Sequence, residues 1–341
     1  MKVLIKSYNT CCQNKAGGVQ NRVRTIYELL KAQIDVEYFE TFSSDLMSCD
    51  VLHVFGLNFE NYSLIRLAKK NNIKVVISTI IPLNNGLKID LYRKYVNKLP
   101  ILSVYKMMIK SAQMADRLIA ETTSEADFLN KHYGVPKEKI IVIPNGITSC
   151  PDSVDDSIYS YVKKDVPFVL QVGRFDKNKN QLNVIRALKD QEFQVVFIGG
   201  ADKNTGNDYY ERCRQEAKNA KNIVFLGWLD SASMLLKSAY KHAQVFILPS
   251  YQETFGLVLL EAGIRGANLA VSKTLPILNY EIFKNCLIFD PSSCSDIKKV
   301  VEKAVHKTRD MDMAKKIAKF FSWDSVIKEH LKCYEALKNE L

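Results

Sequence analysis

Glu253 and Glu261 stand eight residues apart in the stretch Pro249-Ser-Tyr-Gln-Glu-Thr-Phe-Gly-Leu-Val-Leu-Leu-Glu-Ala-Gly263. An ionised carboxylate only accepts hydrogen bonds, so two of them in one place suit a ligand rich in hydroxyls, such as a sugar and a ribose. By spacing alone, a solvated loop glutamate followed by a helix carboxylate favoured by the macrodipole accounts for the pair as well. Their setting separates the two readings. The run Val245–Leu248 predicts a buried parallel strand, Pro249-Ser250 ends it, and Gly256 to Ile264 predicts a helix. Glu253 then lies in a strand-to-helix loop and Glu261 about two turns into the helix. Loops at the carboxyl ends of parallel strands are where open α/β folds bind ligands.

Two basic side chains occupy a similar loop in Val172-Gly-Arg-Phe-Asp-Lys-Asn-Lys-Asn180, again directly after an apolar run. Arg174 can fork onto a phosphate and Lys179 can face one as a point charge; a basic turn with two solvated side chains fits the spacing too. A third loop carries Gly17-Gly18 ahead of a helix, where bare backbone amides can approach an anion. It is not a dinucleotide fingerprint, because G-x-G-x-x-G is absent there and at Gly199-Gly200. Asn145-Gly146 after Ile140–Ile143 reads foremost as a turn. The eight cysteines are scattered without a C-x-x-C pair, which points to reduced thiols and not to zinc. The single D-x-D, Asp310-Met-Asp312, falls in a charged helical stretch that suits a solvated face.

The elements that must hold these loops alternate strand and helix in two series. The first has short runs at Val3–Ser7, Val36–Phe39, Val51–Phe55, Val75–Thr79, Leu118–Ala120 and Ile140–Ile143, with helical patterns such as Val19–Ala32 and Tyr62–Lys70. The second has Phe168–Val172, Gln194–Ile198, Ile223–Phe225, Val245–Leu248, Leu269–Ser272 and Leu287–Phe289. Two doubly wound α/β domains of Rossmann type are implied, over residues 1–150 and 151–321, with the polar interval 149–167 as linker. A last helix begins after Ser322 with the apolar stripe Trp323, Val326, Ile327, Leu331 and Tyr334.

At 341 residues, two domains of ordinary size are the default. Nothing approaches the roughly 20 apolar residues of a membrane span, and Met1-Lys-Val-Leu-Ile-Lys reads as a strand and not as a secretory signal, so a cytoplasmic protein is expected. A net charge of +11 asks for an anionic partner. Residues 88–117 hold seven basic residues against two acidic ones, with Leu91, Tyr92, Tyr95, Leu102 and Tyr105 among the apolar residues between them. That mixture suits a peripheral surface on anionic lipid at the inner face of the cell membrane, or an ordinary amphipathic helix pair with solvated lysines. Nucleic acid is not expected, since no base-stacking pattern or nucleic-acid module is present.

The segment Glu253-Thr-Phe-Gly-Leu-Val-Leu-Leu-Glu261-Ala resembles the signature E-x-F-G-L-x-x-x-E-A of the retaining nucleotide-sugar glycosyltransferases of family 4, the glycosyl transferases group 1. Gly173-Arg174 to Lys179 resembles their G-R-x-x-x-x-K-G segment with Asn180 in place of glycine, and Ile143-Pro-Asn-Gly-Ile147 their V-I-P-N-G-[IV]. The likeness is tight from about Phe168 to Pro291 and loose before it. It implies a GT-B architecture, two Rossmann-like domains facing across a cleft, with the final helix 322–341 packing back on the first domain. It also implies transfer of a hexose from a UDP- or GDP-sugar to a saccharide or lipid-linked acceptor, with retention and without cofactor or metal. In the roles it carries over, Arg174 and Lys179 bind the donor diphosphate, Glu253 the donor sugar and Glu261 the ribose. Gly17, Gly18, Gly173, Thr254, Phe255, Gly256 and Leu257 line the donor. One departure stands out: relatives carry a histidine after the fourth strand, where this chain reads Ile77-Ser-Thr-Ile-Ile-Pro82. His53 matches only the first histidine of an H-x-H-G-like segment. A non-catalytic nucleotide-sugar-binding partner and a same-fold epimerase therefore remain as alternatives.

Overall fold

The computed structural model describes residues 1–7, 18–96, 102–148, 155–201 and 207–339. They form two compact units, Met1–Gly146 together with Trp323–Leu341, and Ile147–Ser322. The division by packing therefore comes at Gly146, whereas the 150/151 boundary read from the sequence lies in residues 149–154, outside the described ones.

In the first unit the strands are β1 (Lys2–Ser7), β2 (Asp35–Tyr38), β3 (Val51–Phe55), β4 (Lys74–Ser78), β5 (Arg117–Ala120) and β6 (Ile140–Val142). The second has β7 (Phe168–Val172), β8 (Gln194–Ile198), β9 (Ile223–Phe225), β10 (Val245–Leu248), β11 (Asn268–Ser272) and β12 (Leu287–Phe289). The helices are α1 (Gly18–Lys31), α2 (Tyr62–Lys70), α3 (Gly86–Leu91), α4 (Val104–Met114), α5 (Thr123–Phe128), α6 (Gln181–Leu188), α7 (Asp208–Glu216), α8 (Met234–His242), α9 (Leu257–Gly263), α10 (Cys294–Val305), α11 (Met311–Phe320) and α12 (Trp323–Asn339).

Both sheets are wholly parallel, in the orders β2-β1-β3-β4-β5-β6 and β12-β11-β10-β7-β8-β9. Strands buried on both faces explain the near-continuous apolar runs at Val51–Phe55 and Val245–Leu248. In the second unit the order reverses between β7 and β10. The chain winds one way through β8 and β9 and the other through β11 and β12, and the carboxyl edge at such a reversal is where open α/β sheets bind ligands. In the first unit the corresponding reversal falls between β1 and β3.

α12 belongs to the first unit because its stripe has a place in that core. Val326, Ile327, Tyr334 and Leu337 pack with Val3, Ile5, Val23, Ile26 and Phe55. Trp323 lies on Gly146, where a Cβ would come within 2.3 Å of the indole. The same face of the sheet carries buried polar groups. His53 bonds Tyr334 Oη through Nδ1 at 2.6 Å and Ser78 Oγ through Nε2 at 3.0 Å, so the lone strand histidine is a core residue. His330 holds the Val326 carbonyl through Nδ1 at 2.9 Å. Arg22 of α1, only 2% exposed, pairs through Nη1 with Glu121 Oε1.

Burial drives the His330 pKa down to about 4 and that of His53 well below the usual histidine value. An unfolded histidine binds its proton near 6.5, so below that pH the unfolded chain holds the extra proton and stability falls. Glu125, pulled up to about 7 chiefly by burial and then by Glu121, works the other way: the folded state holds its proton first, and its contribution grows as pH falls from 7. His330→Leu removes the His330 share of the first effect and leaves the His53 share and the Glu125 effect in place. Chemical denaturation at pH 7 and pH 5 should show the variant losing about 2 kcal/mol less stability over that interval than the parent chain; equal losses would place the titrating group elsewhere.

Candidate functional site

The loop after β7 is shaped by backbone contact. Gly173 has φ 154° and Gly199, after β8, has φ 133°; a Cβ on Gly199 would lie 2.1 Å from the Gly173 carbonyl oxygen. Only glycine lets these two loops meet, tied by Gly173 N–H to Ile198 O at 2.9 Å and Phe175 N–H to Gly200 O at 2.8 Å. Phe175 then plunges into the core edge-on to Tyr210, at 4.9 Å and 89°. Two buried glutamines hold the loop's ends: Gln181 Nε2 donates to the Arg174 carbonyl at 2.9 Å and Gln171 Nε2 to the Lys179 carbonyl at 2.8 Å. Asp176 stiffens the middle, accepting from Lys179 N–H at 2.9 Å and from Arg174 Nε at 3.1 Å.

The loop ends at Asn180 with φ 58° and ψ 30°, immediately before α6. A glycine adopts that left-handed conformation freely, and asparagine is among the few other residues that tolerate it. Here the buried Asn180 amide also donates to the carbonyls of Pro249 at 3.3 Å and Pro291 at 2.7 Å, the loops after β10 and β12. The replacement of glycine is thus a conservative one with a cross-link added.

Asn178 staples the same loop to the one after β10. Its Nδ2 donates to Gln252 O at 2.8 Å, its Oδ1 accepts from Gln252 N–H at 3.0 Å, and its carbonyl accepts from Tyr251 N–H at 2.9 Å. The staple brings Lys179 onto Glu253, Nζ to Oε1 at 2.5 Å, with side chains 22% and 12% exposed. Ser250 Oγ, wholly buried, donates to the same Oε1 at 2.6 Å. Oε2 meets no donor among the described residues, which leaves it as an acceptor for a ligand hydroxyl. Gly256 comes next at φ 98° and opens α9. Thr254 is exposed, while the Phe255 ring packs in the core edge-on to Tyr280 and Phe321, so only the backbone of Phe255 is offered at the edge.

Glu261 lies on the open side of α9 and accepts from the Tyr240 hydroxyl through Oε2 at 2.6 Å. Surrounding protein mass pushes its pKa above the ordinary carboxylate value, and the Tyr240 hydrogen bond opposes that push. The side chain is nonetheless open to solvent, which screens that push. Farther along the edge, the exposed Trp228 comes after β9, its indole seated where a Cβ of Gly200 would lie 2.6 Å from Cδ1 and Nε1.

Gly173, Arg174, Lys179, Glu253 to Leu257 and Glu261 thus all belong to two neighbouring loops and one helix of the second unit. Gly18 is the first residue of α1 in the first unit, and Gly17 lies outside the described residues. Asp310 caps α11, accepting from Met313 N–H at 2.9 Å. Among the described residues no three His, Cys, Asp or Glu side chains converge to hold a metal ion. After β4, Ile80 stands at φ 47° and Glu125 Oε1 accepts from Thr79 Oγ1 at 2.6 Å and Ile81 N–H at 3.2 Å. Sequence reading missed Gln171, Gln181, Asn178, Ser250, Tyr240 and Trp228. Of these only Ser250, three residues before Glu253, carried a local signal.

A family profile described as Glycosyl transferases group 1 matches residues 157–320, and one described as Glycosyltransferase Family 4 matches residues 44–149. An uncharacterized glycosyltransferase of Methanocaldococcus jannaschii is 25% identical over 311 residues, covering 85% of this chain and 75% of that protein. The alpha-galactosylglucosyldiacylglycerol synthase of Streptococcus pneumoniae is 26% identical over 275 residues, covering 77% and 69%. Among solved structures, HepE of Anabaena in complex with UDP superposes with a TM-score of 0.74 at 14% identity, over 98% of this chain and 100% of that one. That likeness establishes the fold as GT-B.

The Asn180 geometry carries a stability prediction. Asn180→Ala keeps the left-handed strain and loses both cross-links, a loss of about 2–3 kcal/mol, whereas Asn180→Gly relieves the strain and recovers about 1 kcal/mol of it. Denaturant titration of the two variants checks the order; a glycine variant no more stable than the alanine one would remove the conformational part of the explanation.

Proposed function

The chain belongs to the group 1 glycosyl transferases, and on that premise we propose that it is a retaining, metal-independent hexosyltransferase using a UDP- or GDP-sugar. The observation that carries this reading is the pair of loops at the β7/β10 reversal, which sets Lys179 beside Glu253, with Oε2 facing no protein donor among the described residues, and holds Arg174 on Asp176 in the same loop as Lys179. Breaking the bond from the anomeric carbon leaves negative charge on the nucleoside diphosphate. Arg174 and Lys179 supply preorganised donors for that charge. Glu253 accepts a hydroxyl of the donor sugar and Glu261 one of the ribose, while Trp228 offers a flat apolar face to the base. The acceptor hydroxyl oxygen then bonds the anomeric carbon on the face the diphosphate leaves, and its proton passes to the departing diphosphate oxygen. UDP as the nucleotide is supported by the complex of HepE with UDP.

For the acceptor, we propose a lipid-linked or glycolipid substrate in cell-surface polysaccharide or glycolipid synthesis, approached at an anionic membrane. The Streptococcus relative is named for a diacylglycerol glycolipid. In this chain the described part of 88–117 divides into two kinds of surface. Ile89 and Ile109 are core, and Lys106 is buried with them, as an amphipathic pair requires. Leu87, 82% exposed, with Leu91, Tyr95, Leu102 and Val104 forms an apolar set on the outside, interleaved with exposed Lys88 and Lys94. Lys94 lies over the Tyr95 ring at 5.3 Å. No helix among the described residues is long and apolar enough to cross a membrane, so contact would be at the headgroup level.

Release of nucleoside diphosphate from UDP-, GDP- and ADP-sugars, with a chelator present, tests the donor reading. One sugar nucleotide should be turned over at an unchanged rate in the chelator, and Arg174→Ala or Lys179→Ala should slow it ~100-fold or more. Near-parental turnover in both variants would remove the diphosphate site; binding without turnover in any condition would favour the non-catalytic partner that Ile80 and Ile81 suggest. For the membrane, co-sedimentation with vesicles containing phosphatidylglycerol should exceed that with pure phosphatidylcholine and weaken with salt. Leu87→Glu with Leu91→Glu should cut it by about tenfold, and binding unaffected by the pair would rule out this surface.

A further inference from the structure

Tyr240 is a buried residue of α8 that the donor chemistry above does not use, yet its hydroxyl reaches a residue that this chemistry needs. Its ring lies in the core of the second unit, 5.9 Å from that of Phe246 on β10, and is 5% exposed. Its hydroxyl donates to Glu261 Oε2 at 2.6 Å, the short distance expected of a hydrogen bond to a charged acceptor. Glu261 itself is exposed, and an exposed glutamate otherwise samples many rotamers, an entropy that a ligand must remove on binding. A tyrosine with two torsions, locked by core packing, removes it beforehand and dictates which carboxylate oxygen remains open.

We propose that Tyr240 is a positioning residue for the donor's ribose, acting through Glu261 by holding Oε2 so that Oε1 faces the ribose hydroxyl. This rests on the reading that Glu261 receives the ribose. The phenol itself does not touch the nucleotide; it selects ribonucleotide over deoxyribonucleotide by preorganising the group that does. Removing the hydroxyl leaves the ring's packing intact, so Tyr240→Phe keeps the core filled.

The test measures Kd for UDP and for 2′-deoxy- and 3′-deoxy-UDP (the GDP series if GDP is the diphosphate bound), with KM and kcat for the matching sugar nucleotides. For Tyr240→Phe, Kd and KM for the ribonucleotide should rise about fivefold with kcat unchanged, the contribution expected from one preordered side chain. Values for the deoxy compound that lacks the contacted hydroxyl should not move. Glu261→Ala should erase the preference for ribose, and Tyr240→Phe added to it should change nothing more. If Glu261→Ala leaves the preference intact, the ribose reading and the proposal both fall. If Glu261→Ala erases it while Tyr240→Phe weakens ribo- and deoxynucleotides equally, or neither, the ribose reading stands and Tyr240 has only a packing role.

Discussion

At Asn180 the chain turns into α6 through the left-handed region, a conformation that costs most L residues about 1–2 kcal/mol. The geometry of the site depends on that turn. It directs the Asn180 amide onto the carbonyls of Pro249 and Pro291, and so binds the β7, β10 and β12 loops into one block. With Asn178 clamped on Gln252 just before it, Lys179 is held beside the β10 loop, within reach of Glu253. The ion pair with Glu253 is therefore a consequence of backbone geometry. A mobile lysine and glutamate on a surface would gain little from pairing; here both are largely enclosed and already in place, so the order they bring to a ligand is built in during folding.

Charge is handled differently in the first unit. Arg22 and Glu121 are both almost fully buried, and such a pair contributes little net stability because desolvation offsets the attraction. Losing one partner is another matter, since it strands a charge in the core. Arg22 Nε and Nη2 and His330 Nε2 meet no partner among the described residues, and a buried donor left unpaired costs stability. These groups all lie where α1 and α12 cover the sheet. There the terminal helix is docked with Tyr334 on His53 and Trp323 on Gly146.

Almost all of the strand framework was legible. Val51–Phe55, Phe168–Val172, Gln194–Ile198, Ile223–Phe225, Val245–Leu248 and Leu287–Phe289 are strands over just those residues, and the other six differ by a residue or two at an end. Parallel strands buried on both faces are written as continuous apolar runs, and their short length, β-branched content and flanking turn residues distinguish them from buried helix. Glu253, Arg174 and Lys179 were legible because charged groups stand out beside such runs. Gln171, Gln181, Asn178 and Tyr240 were not. Each acts through a contact made only after folding: Tyr240 reaches Glu261 across 21 residues and Asn178 reaches Gln252 across 74. A buried glutamine that holds a carbonyl is indistinguishable in sequence from one on a surface, and only its burial reveals its role.

The first unit's weaker resemblance has a physical counterpart after β4. Thr79 Oγ1 and the Ile81 N–H both point to Glu125, whose other oxygen takes the Glu121 N–H at 2.7 Å. The segment's hydrogen-bonding capacity is thereby consumed internally, and the side chain between these anchors is Ile80, partly buried against the α1 and α12 core. A β-branched residue at φ 47° carries strain of about 1–3 kcal/mol, which the surrounding anchors must overcome. An imidazole in that position could donate a hydrogen bond, and isoleucine cannot. The carboxylates and cations proposed to meet the donor, Glu253, Glu261, Arg174 and Lys179, all lie instead in the second unit, where Asn178 and Asn180 staple the loops to one another.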